Sequence, residues 1–168
     1  RESTVDPLTK LINRRVLLRL AQRSHEYHDV YSVVMFDLDR FKRINDNYGH
    51  AVGDQFLVAV AKVIQKELRT TDIIARFGGE EFVAILPEIK LNDANIIASR
   101  VAIAISRQVI ALADGTELSV TASVGVTQRK KEENIDDVLK RSDDFLYFAK
   151  ENGRDRVISD HEYYQASA

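Results

Sequence analysis

Two aspartates stand two residues apart where a β-rich run ends. The run Tyr31–Phe36 is largely apolar, and Asp37 and Asp39 follow it. In an extended chain these two side chains lie on the same face. Paired carboxylates repel each other unless a cation lies between them, and Mg²⁺ is usually bound by one or two carboxylates together with substrate phosphates. A solvated loop, or an Asp39 that caps the next turn, is the alternative explanation of the pair.

A second pair of acids, Glu80 and Glu81, directly follows Gly78-Gly79 between two β-rich runs. Two glycines between such runs predict a tight hairpin, but a tight turn does not require two adjacent carboxylates. In a palm-like sheet this hairpin lies beside the first strand, so we predict that Asp37, Glu80 and Glu81 converge. Two metal ions about 3.5–4 Å apart can activate an attacking oxygen and stabilise a leaving one. A polar hairpin tip is the alternative.

Groups suited to a nucleotide follow the first strand. Residues 40–46 contain three bases and are predicted to form a turn whose backbone amides can bind phosphate. Asn45 offers a donor and an acceptor and Asp54 offers two acceptors, a combination that can select guanine over adenine. By spacing alone, an acid near a helix N-terminus is the simpler role for Asp54. Lys150 and Arg154 flank Gly153 at the end of the last helix, where cations complement the helix C-terminus or bind a triphosphate.

The elements that must position these groups follow from periodicity. The predicted helices are 13–27 with Asn13 as cap, Val52–Arg69, Asn92–Gln108 and Ile135–Lys150. The predicted strands are Tyr31–Phe36, Ile73–Phe77, Phe82–Leu86, Val120–Thr127 and, at an edge, Arg156–Ile158. Their order contains β-α-β-β-α-β, which predicts an α+β fold of the ferredoxin-like or palm type, with an antiparallel sheet and helices packed on one of its faces.

The composition excludes several classes of protein. The 168 residues suit a single domain over residues 1–168. A formal charge of −2 argues against a domain that coats nucleic acid, and the absence of cysteine excludes disulfide frameworks and thiolate metal sites. No apolar run approaches the length of a membrane span. We therefore expect a cytoplasmic domain that is a fragment of a longer protein, whose upstream region would carry a sensor, a dimerisation segment or a membrane anchor.

Several motifs together resemble the GGDEF domain, the catalytic domain of diguanylate cyclases, in a Gly-Gly-Glu-Glu-Phe variant. The resemblance covers nearly the whole chain and implies a fold related to nucleotide cyclase catalytic domains. It also implies the condensation of two GTP molecules into cyclic di-GMP with release of pyrophosphate. The motifs are Asp6–Arg15, Asp37–Asp46, Gly49-His50, Gly53-Asp54, Arg76–Phe82, Thr121–Val126 and Tyr147–Arg154.

The resemblance implies roles for the acids. Asp37 and Glu81 would be metal ligands together with the carbonyl of Leu38, and Glu80 would bind a second metal ion. Two Mg²⁺ or Mn²⁺ ions are thus expected in each active site. Glu80 is also the candidate to deprotonate the GTP 3′-hydroxyl, and whether it is a base or chiefly a metal ligand stays open.

The resemblance also implies the contacts to substrate. Asn45 and Asp54 would read guanine. The triphosphate would be held by the backbone of Arg40, Phe41 and Lys42 and by the side chains of Lys42, Lys150 and Arg154. Gly78 and Gly79 would also contact the substrate. Since the reaction joins two nucleotides, a homodimer of domains is expected when the enzyme is active, and neither nucleic acid nor a membrane is expected as a partner of this fragment.

A product site is implied on another surface. Arg69 and Asp72 form the family's R-x-x-D pattern, and Arg100 matches a second arginine on the next helix, so cyclic di-GMP is expected to bind there and inhibit turnover. A helix-end arginine and a turn aspartate are the alternative. Two positions depart from the family: Asp155 replaces the usual Asn, and Phe145 stands where a small residue is usual.

Two other functions compete with the cyclase. The first is a non-catalytic receptor for GTP or cyclic di-GMP, against which the presence of Glu80 and Glu81 argues. The second is a nucleotide-sugar transferase that holds a metal diphosphate with Asp37 and Asp39, which leaves the hairpin acids and Asp54 unexplained.

Overall fold

The computed structural model describes residues 3–166 as a six-stranded sheet flanked by helices, with a separate two-stranded sheet. The elements in chain order are β1 (Ile12–Asn13), α1 (Arg14–Tyr27), β2 (Tyr31–Leu38), α2 (Phe41–Tyr48), α3 (His50–Glu67), β3 (Ile73–Gly78), β4 (Glu81–Pro87), α4 (Leu91–Ser106), β5 (Ile110–Ala111), β6 (Glu117–Leu118), β7 (Ala122–Gln128), α5 (Ile135–Glu151), β8 (Arg156–Ile158) and α6 (Asp160–Ala166). None of the helices within these residues has both the length and the hydropathy that crossing a bilayer requires.

The large sheet has the strand order β1-β3-β4-β2-β7-β8. Its centre, β3-β4-β2-β7, is antiparallel, whereas β1 and β8 run parallel to their neighbours at the two edges. The predicted α+β class, the antiparallel central sheet and the edge position of Arg156–Ile158 are therefore confirmed. The two central strands, β2 and β4, carry the candidate acids at the end of the sheet where Asp37 pairs with Glu81.

The expectation that helices cover only one face of the sheet is wrong. Every residue of β2 is buried. Its side chains alternate between two hydrophobic clusters: Val34 and Phe36 pack with α3 and α4, whereas Val33 and Met35 pack with α1 and α5. A strand that is apolar at successive positions, like β2, must bury both of its faces, and helices on both sides of the sheet achieve this.

The predicted helices and strands are present, with small differences at their ends. Asn13 caps α1 by accepting a hydrogen bond from the backbone N–H of Val16 at 3.0 Å. Asn134 and Asp137 form a reciprocal capping box at the start of α5. Both caps satisfy amides that the first turn of a helix leaves unpaired.

The turn predicted over residues 40–46 is wrong, because α2 begins at Phe41. Arg40 precedes it with φ 55°, so the chain leaves β2 through a left-handed residue and then starts the helix at once. Phe41 is buried and Ile44, one helical turn later, packs against the same cluster. With eight residues, α2 is shorter than the stretch over which helical periodicity is read, which is why the sequence pattern did not predict this helix.

Candidate active site

Asp37 and Glu81 face each other across neighbouring strands. They are register partners in the antiparallel pairing of β2 with β4, an arrangement that holds Cβ atoms about 4.5–5.5 Å apart on one face of a sheet. Asp37 is buried, with 6% of the residue exposed, and Glu81 is partly buried. The backbone N–H of Leu38 donates to the carbonyl of Glu80 at 3.2 Å, which fixes the hairpin against the end of β2.

The tip of the hairpin differs by one residue from the expected one. Gly78 pairs with Glu81, so the two turn residues are Gly79 and Glu80 rather than the two glycines. Neither glycine has a positive φ, and a Cβ atom added to either would meet nothing within 4 Å. The backbone of the turn is therefore open on its outer side, where a ligand can approach closely.

Lys150 forms an ion pair with Asp37. Its Nζ lies 2.7 Å from Oδ2 of Asp37, and the two side chains are 32% and 8% exposed. Burial raises the pKa of the Asp37 carboxyl, the hydrogen bond and charge of Lys150 oppose this rise, and the carboxylates of Glu80 and Asp39 add to it. Lys150 is thus the cation that balances Asp37 in the metal-free domain.

Glu81 lies among further charges. Burial raises the pKa of its carboxyl, the charges of Asp37 and Asp143 raise it more, and those of Lys150 and Arg14 lower it. Burial and the two neighbouring carboxylates thus favour the neutral form of Glu81. A cation that binds beside Glu81 would favour its charged form again. The electrostatics of this strand end therefore favour an added cation.

The donor set fits a magnesium ion that is completed by substrate. Within residues 3–166, no three His, Cys, Asp or Glu side chains form a group that could hold a metal ion. Glu80, in the turn, therefore does not join Asp37 and Glu81 in a preformed three-carboxylate group. Two carboxylates and a carbonyl such as that of Leu38 are hard oxygen donors, and Mg²⁺ keeps water or phosphate at its other positions.

The Asp39 side chain joins parts of the fold by hydrogen bonds and is not directed to the candidate metal site. Its carboxylate accepts hydrogen bonds from the hydroxyls of Thr121 and Ser123, both at 2.6 Å, and from the backbone N–H of Asp155 at 3.0 Å. The side chain is buried and joins β2 to β7 and to the loop before β8. The hypothesis that Asp37 and Asp39 together hold a cation is therefore not supported.

Asn45 and Asp54 come from neighbouring helices that pack closely at Gly53. The Oδ1 atom of Asn45 is buried and has no hydrogen-bond partner among residues 3–166. Asp54 is exposed and lines a groove of about 700 Å³ that also includes Leu8 and Ala51. Because α3 begins at His50, Asp54 lies beyond the first turn, so the helix-dipole role does not explain it.

The phosphate-binding candidates surround the start of α2. Among residues 3–166, no N-cap side chain bonds to the first turn of this helix, so the backbone amides at Phe41 and Lys42 remain available just after the end of β2. The side chain of Phe41 is buried, which leaves only its backbone for a ligand. Lys42 is exposed and pairs with Asp46 at 2.8 Å. Arg154 is partly buried and has φ 61° in the loop that follows α5.

The three residues of the predicted product site lie together at the C-terminal end of α3. Arg69 contacts Asp72 through Nη2 at 2.6 Å and also donates to the carbonyl of Pro87 at 2.9 Å. Arg100 of α4 contacts Glu67 through Nε at 2.8 Å, two residues before Arg69. The group lies beside the start of β3, the end opposite to the hairpin turn.

Sequence reasoning missed four residues around the hairpin. Arg14 lies over the ring of Phe77 at 4.4 Å, and Asp143 lies seven residues before Lys150, a spacing that puts both on one face of α5. Arg76 donates to the carbonyl of Gly79 at 3.0 Å and to Asp6 at 3.1 Å. The helical spacing of Asp143 and Lys150 was the available signal, whereas no local pattern joins Asp6 to Arg76.

The motifs and this geometry agree with a comparison against known families. The model of the family described as "Diguanylate cyclase, GGDEF domain" matches residues 3–156. The chain belongs to this GGDEF family. The resemblance noted in the sequence is therefore confirmed, and helix α6 lies outside the matched residues.

Named members of the GGDEF family match most of the chain. It is 38% identical over 158 residues to diguanylate cyclase DgcM of Escherichia coli and 40% identical over 161 residues to diguanylate cyclase DgcP of Pseudomonas aeruginosa. The matches cover 92% and 93% of this chain but 38% and 24% of those proteins, so the chain spans about a quarter to two fifths of their length. The GGDEF domain of DgcB from Caulobacter crescentus, solved with c-di-GMP, superposes with a TM-score of 0.90 at 30% identity, covering 95% of this chain and 96% of that one.

Proposed function

We propose that this GGDEF domain is a diguanylate cyclase that condenses two GTP molecules into cyclic di-GMP and releases pyrophosphate. The observation that carries the proposal is the placement of Asp37 opposite Glu81, at the end of the sheet where α2 begins. Two acids and a helix N-terminus at one place suit a metal-dependent transfer of a phosphoryl group. The diguanylate cyclases among its relatives support this choice of reaction.

The chain's own residues bind and orient the nucleotide in this proposal. Amides at the start of α2, together with Arg154, contact the triphosphate. Asn45 and Asp54 bind the edge of the base, and their places on the adjoining helices α2 and α3 support this role.

The acids supply the chemistry at the reacting phosphorus. Asp37, Glu81 and the Leu38 carbonyl hold Mg²⁺ or Mn²⁺, and Glu80 holds a second ion or receives the proton of the 3′-hydroxyl. Such ions polarise the phosphoryl group and favour ionisation of the attacking hydroxyl when they are bound. The place of Glu80 in an open turn supports its contact with a substrate presented from outside the domain.

Two copies of the domain must act together in this reaction. Each copy presents one set of nucleotide contacts, whereas the product contains two nucleotides, so each domain delivers a GTP molecule to its partner. The specific activity is therefore expected to rise with protein concentration. Activity per mole of domain that stays constant over a range where light scattering finds only monomers would contradict the dimer.

The direct test is incubation with GTP and Mg²⁺ followed by chromatography of the products. We expect cyclic di-GMP and pyrophosphate from the wild-type domain and almost none from Glu80→Gln. Glu132→Gln is the matched control, because Glu132 is exposed and lies in the loop that follows β7, near the start of β2 and not near the hairpin. If GTP binds but no product forms in the dimeric wild type, the domain is a receptor and the proposed reaction is wrong.

A further inference from the structure

The ion pair between Lys150 and Asp37 places a cation of the protein itself at the proposed metal site. The Lys150 ammonium lies 2.7 Å from Oδ2 of Asp37. The carboxylates of Glu80 and Asp39 also act on Asp37, as does that of its register partner Glu81, and all three are negative. Lys150 therefore supplies the positive charge that this buried carboxylate needs when no metal is bound.

An ammonium and a divalent ion at the same carboxylate repel each other. Mg²⁺ binds carboxylate oxygens at about 2.0–2.1 Å and demands near-octahedral geometry. The Lys150 nitrogen at 2.7 Å from Oδ2 occupies one of the approaches to Asp37, and a divalent ion on either oxygen of this carboxylate would lie within a few ångströms of that positive charge. Lys150 therefore opposes a metal ion at Asp37 until its ammonium moves away.

Lys150 has the freedom to leave Asp37. It lies in the last turn of α5, and about one third of its side chain is exposed. A lysine ammonium is a compact charge on a flexible stem and binds phosphate as readily as carboxylate. The start of α2, where the phosphates are proposed to bind, follows the strand that ends just after Asp37.

We propose that Lys150 is a positioning residue that blocks the metal site until nucleotide phosphates draw its ammonium away from Asp37. This inference rests on the proposed nucleotide site. The binding of metal and the binding of nucleotide then favour each other. A metal ion at Asp37 drives the Lys150 ammonium toward the phosphates, and bound phosphates hold the ammonium away from Asp37. A domain without nucleotide thus holds Mg²⁺ weakly.

Binding of Mn²⁺ to the nucleotide-free domain, followed by electron paramagnetic resonance, tests the inference. Lys150→Met should bind Mn²⁺ at least about 10-fold more tightly than wild type, since a charge-assisted competitor is removed. Lys150→Arg keeps the cation and should bind Mn²⁺ as weakly as wild type. The matched control is Lys140→Met, which removes an exposed lysine of the same helix that pairs with Asp144.

A second measurement uses the wild-type protein alone and stands even if a variant fails to fold. Reductive methylation of Lys150, read by mass spectrometry, should be slow in the metal-free domain and faster when Mn²⁺ saturates it. Lys140 should react equally in both. Equal Mn²⁺ affinity of Lys150→Met and wild type, or a methylation rate of Lys150 that Mn²⁺ does not change, overturns the inference.

These outcomes are separate from the proposed reaction. Product chromatography decides whether the domain is a cyclase, whereas both measurements above use no substrate. If the domain forms cyclic di-GMP normally but Lys150→Met binds Mn²⁺ no more tightly than wild type, only the inference about Lys150 is wrong. A domain that shows the predicted Mn²⁺ effect but forms no cyclic di-GMP refutes the proposed reaction alone.

Discussion

Gly53 packs directly against Asn45. A Cβ atom at position 53 would lie 2.0 Å from Oδ1 of Asn45 and 3.1 Å from the ring of Phe41. The missing side chain therefore lets α2 and α3 approach each other closely enough to place Asn45 beside Asp54. This contact connects the packing of two helices with the proposed reading of guanine.

Gly53→Ala is expected to push the Asn45 side chain out of its place and to crowd the ring of Phe41, because the added methyl group meets the ends of these two side chains. Overpacking of this kind costs about 1–3 kcal/mol of unfolding free energy, and the displaced Asn45 should weaken GTP binding. Urea denaturation and calorimetry with GTP measure the two effects. Gly79→Ala is the control for stability, because its methyl group meets nothing within 4 Å and should change the unfolding free energy by less than about 0.5 kcal/mol. Equal stabilities of Gly53→Ala and wild type would show that these side chains adapt freely.

Asp54→Ala is expected to reduce the preference for GTP over ATP. A site that hydrogen-bonds one base edge can discriminate by roughly 10⁴-fold, because the wrong base leaves polar groups unpaired. Asp54 is exposed, so its removal should leave the fold intact. Calorimetric titration of both nucleotides into wild type and variant gives the ratio. Wild-type protein that binds ATP and GTP equally well would refute the proposed reading of guanine.

Asp39→Ala is expected to destabilise the domain. The change leaves the buried hydroxyl of Ser123, the partly buried hydroxyl of Thr121 and the N–H of Asp155 without their acceptor. Unsatisfied buried donors cost about 1–3 kcal/mol, which a urea titration resolves. Asp46→Ala removes an exposed carboxylate and should shift the unfolding midpoint little. A variant at position 39 that unfolds like wild type would mean that water replaces the carboxylate.

The two aspartates show what a sequence pattern can and cannot predict. Asp37 was assigned to the site because it ends an apolar strand next to the hairpin, and both features are local. The role of Asp39 depends on Thr121 and Ser123, more than 80 positions away. Phe145 is similar: it departs from the small residue usual in the family, and its ring packs at 4.7 Å against Tyr163 of α6, outside the matched residues.

Glu81→Gln is expected to stabilise the metal-free domain, more so as the pH rises. Because the pKa of Glu81 is raised in the folded state, the folded domain retains a proton that the unfolded chain releases above its ordinary value of 4.5. The wild type therefore loses stability relative to the variant as the pH rises through this window. The difference at pH 7 should be about 0.5–2 kcal/mol, a typical gain from relieving functional strain.

Thermal unfolding of both proteins in EDTA, from pH 4 to pH 8, measures this effect. Glu132→Gln is the matched control, because Glu132 is exposed. The two melting temperatures should be most similar at pH 4 and diverge above it. A difference that is the same at every pH would show that the ionisation of Glu81 is not its cause.

Arg69→Ala is expected to keep catalytic turnover and lose product inhibition. Arg69 is held by Asp72 and by the carbonyl of Pro87 at the end of β3 opposite to the hairpin, so cyclic di-GMP can bind there without entering the active site. Arginine forks suit phosphate and stack on guanine. The loss of one charge-assisted hydrogen bond weakens binding about 10- to 100-fold. Initial rates at increasing cyclic di-GMP compare the variant with wild type and with Arg23→Ala, which changes an exposed arginine on α1. If Arg69→Ala is inhibited as strongly as these two proteins, Arg69 and Asp72 only close the turn between α3 and β3.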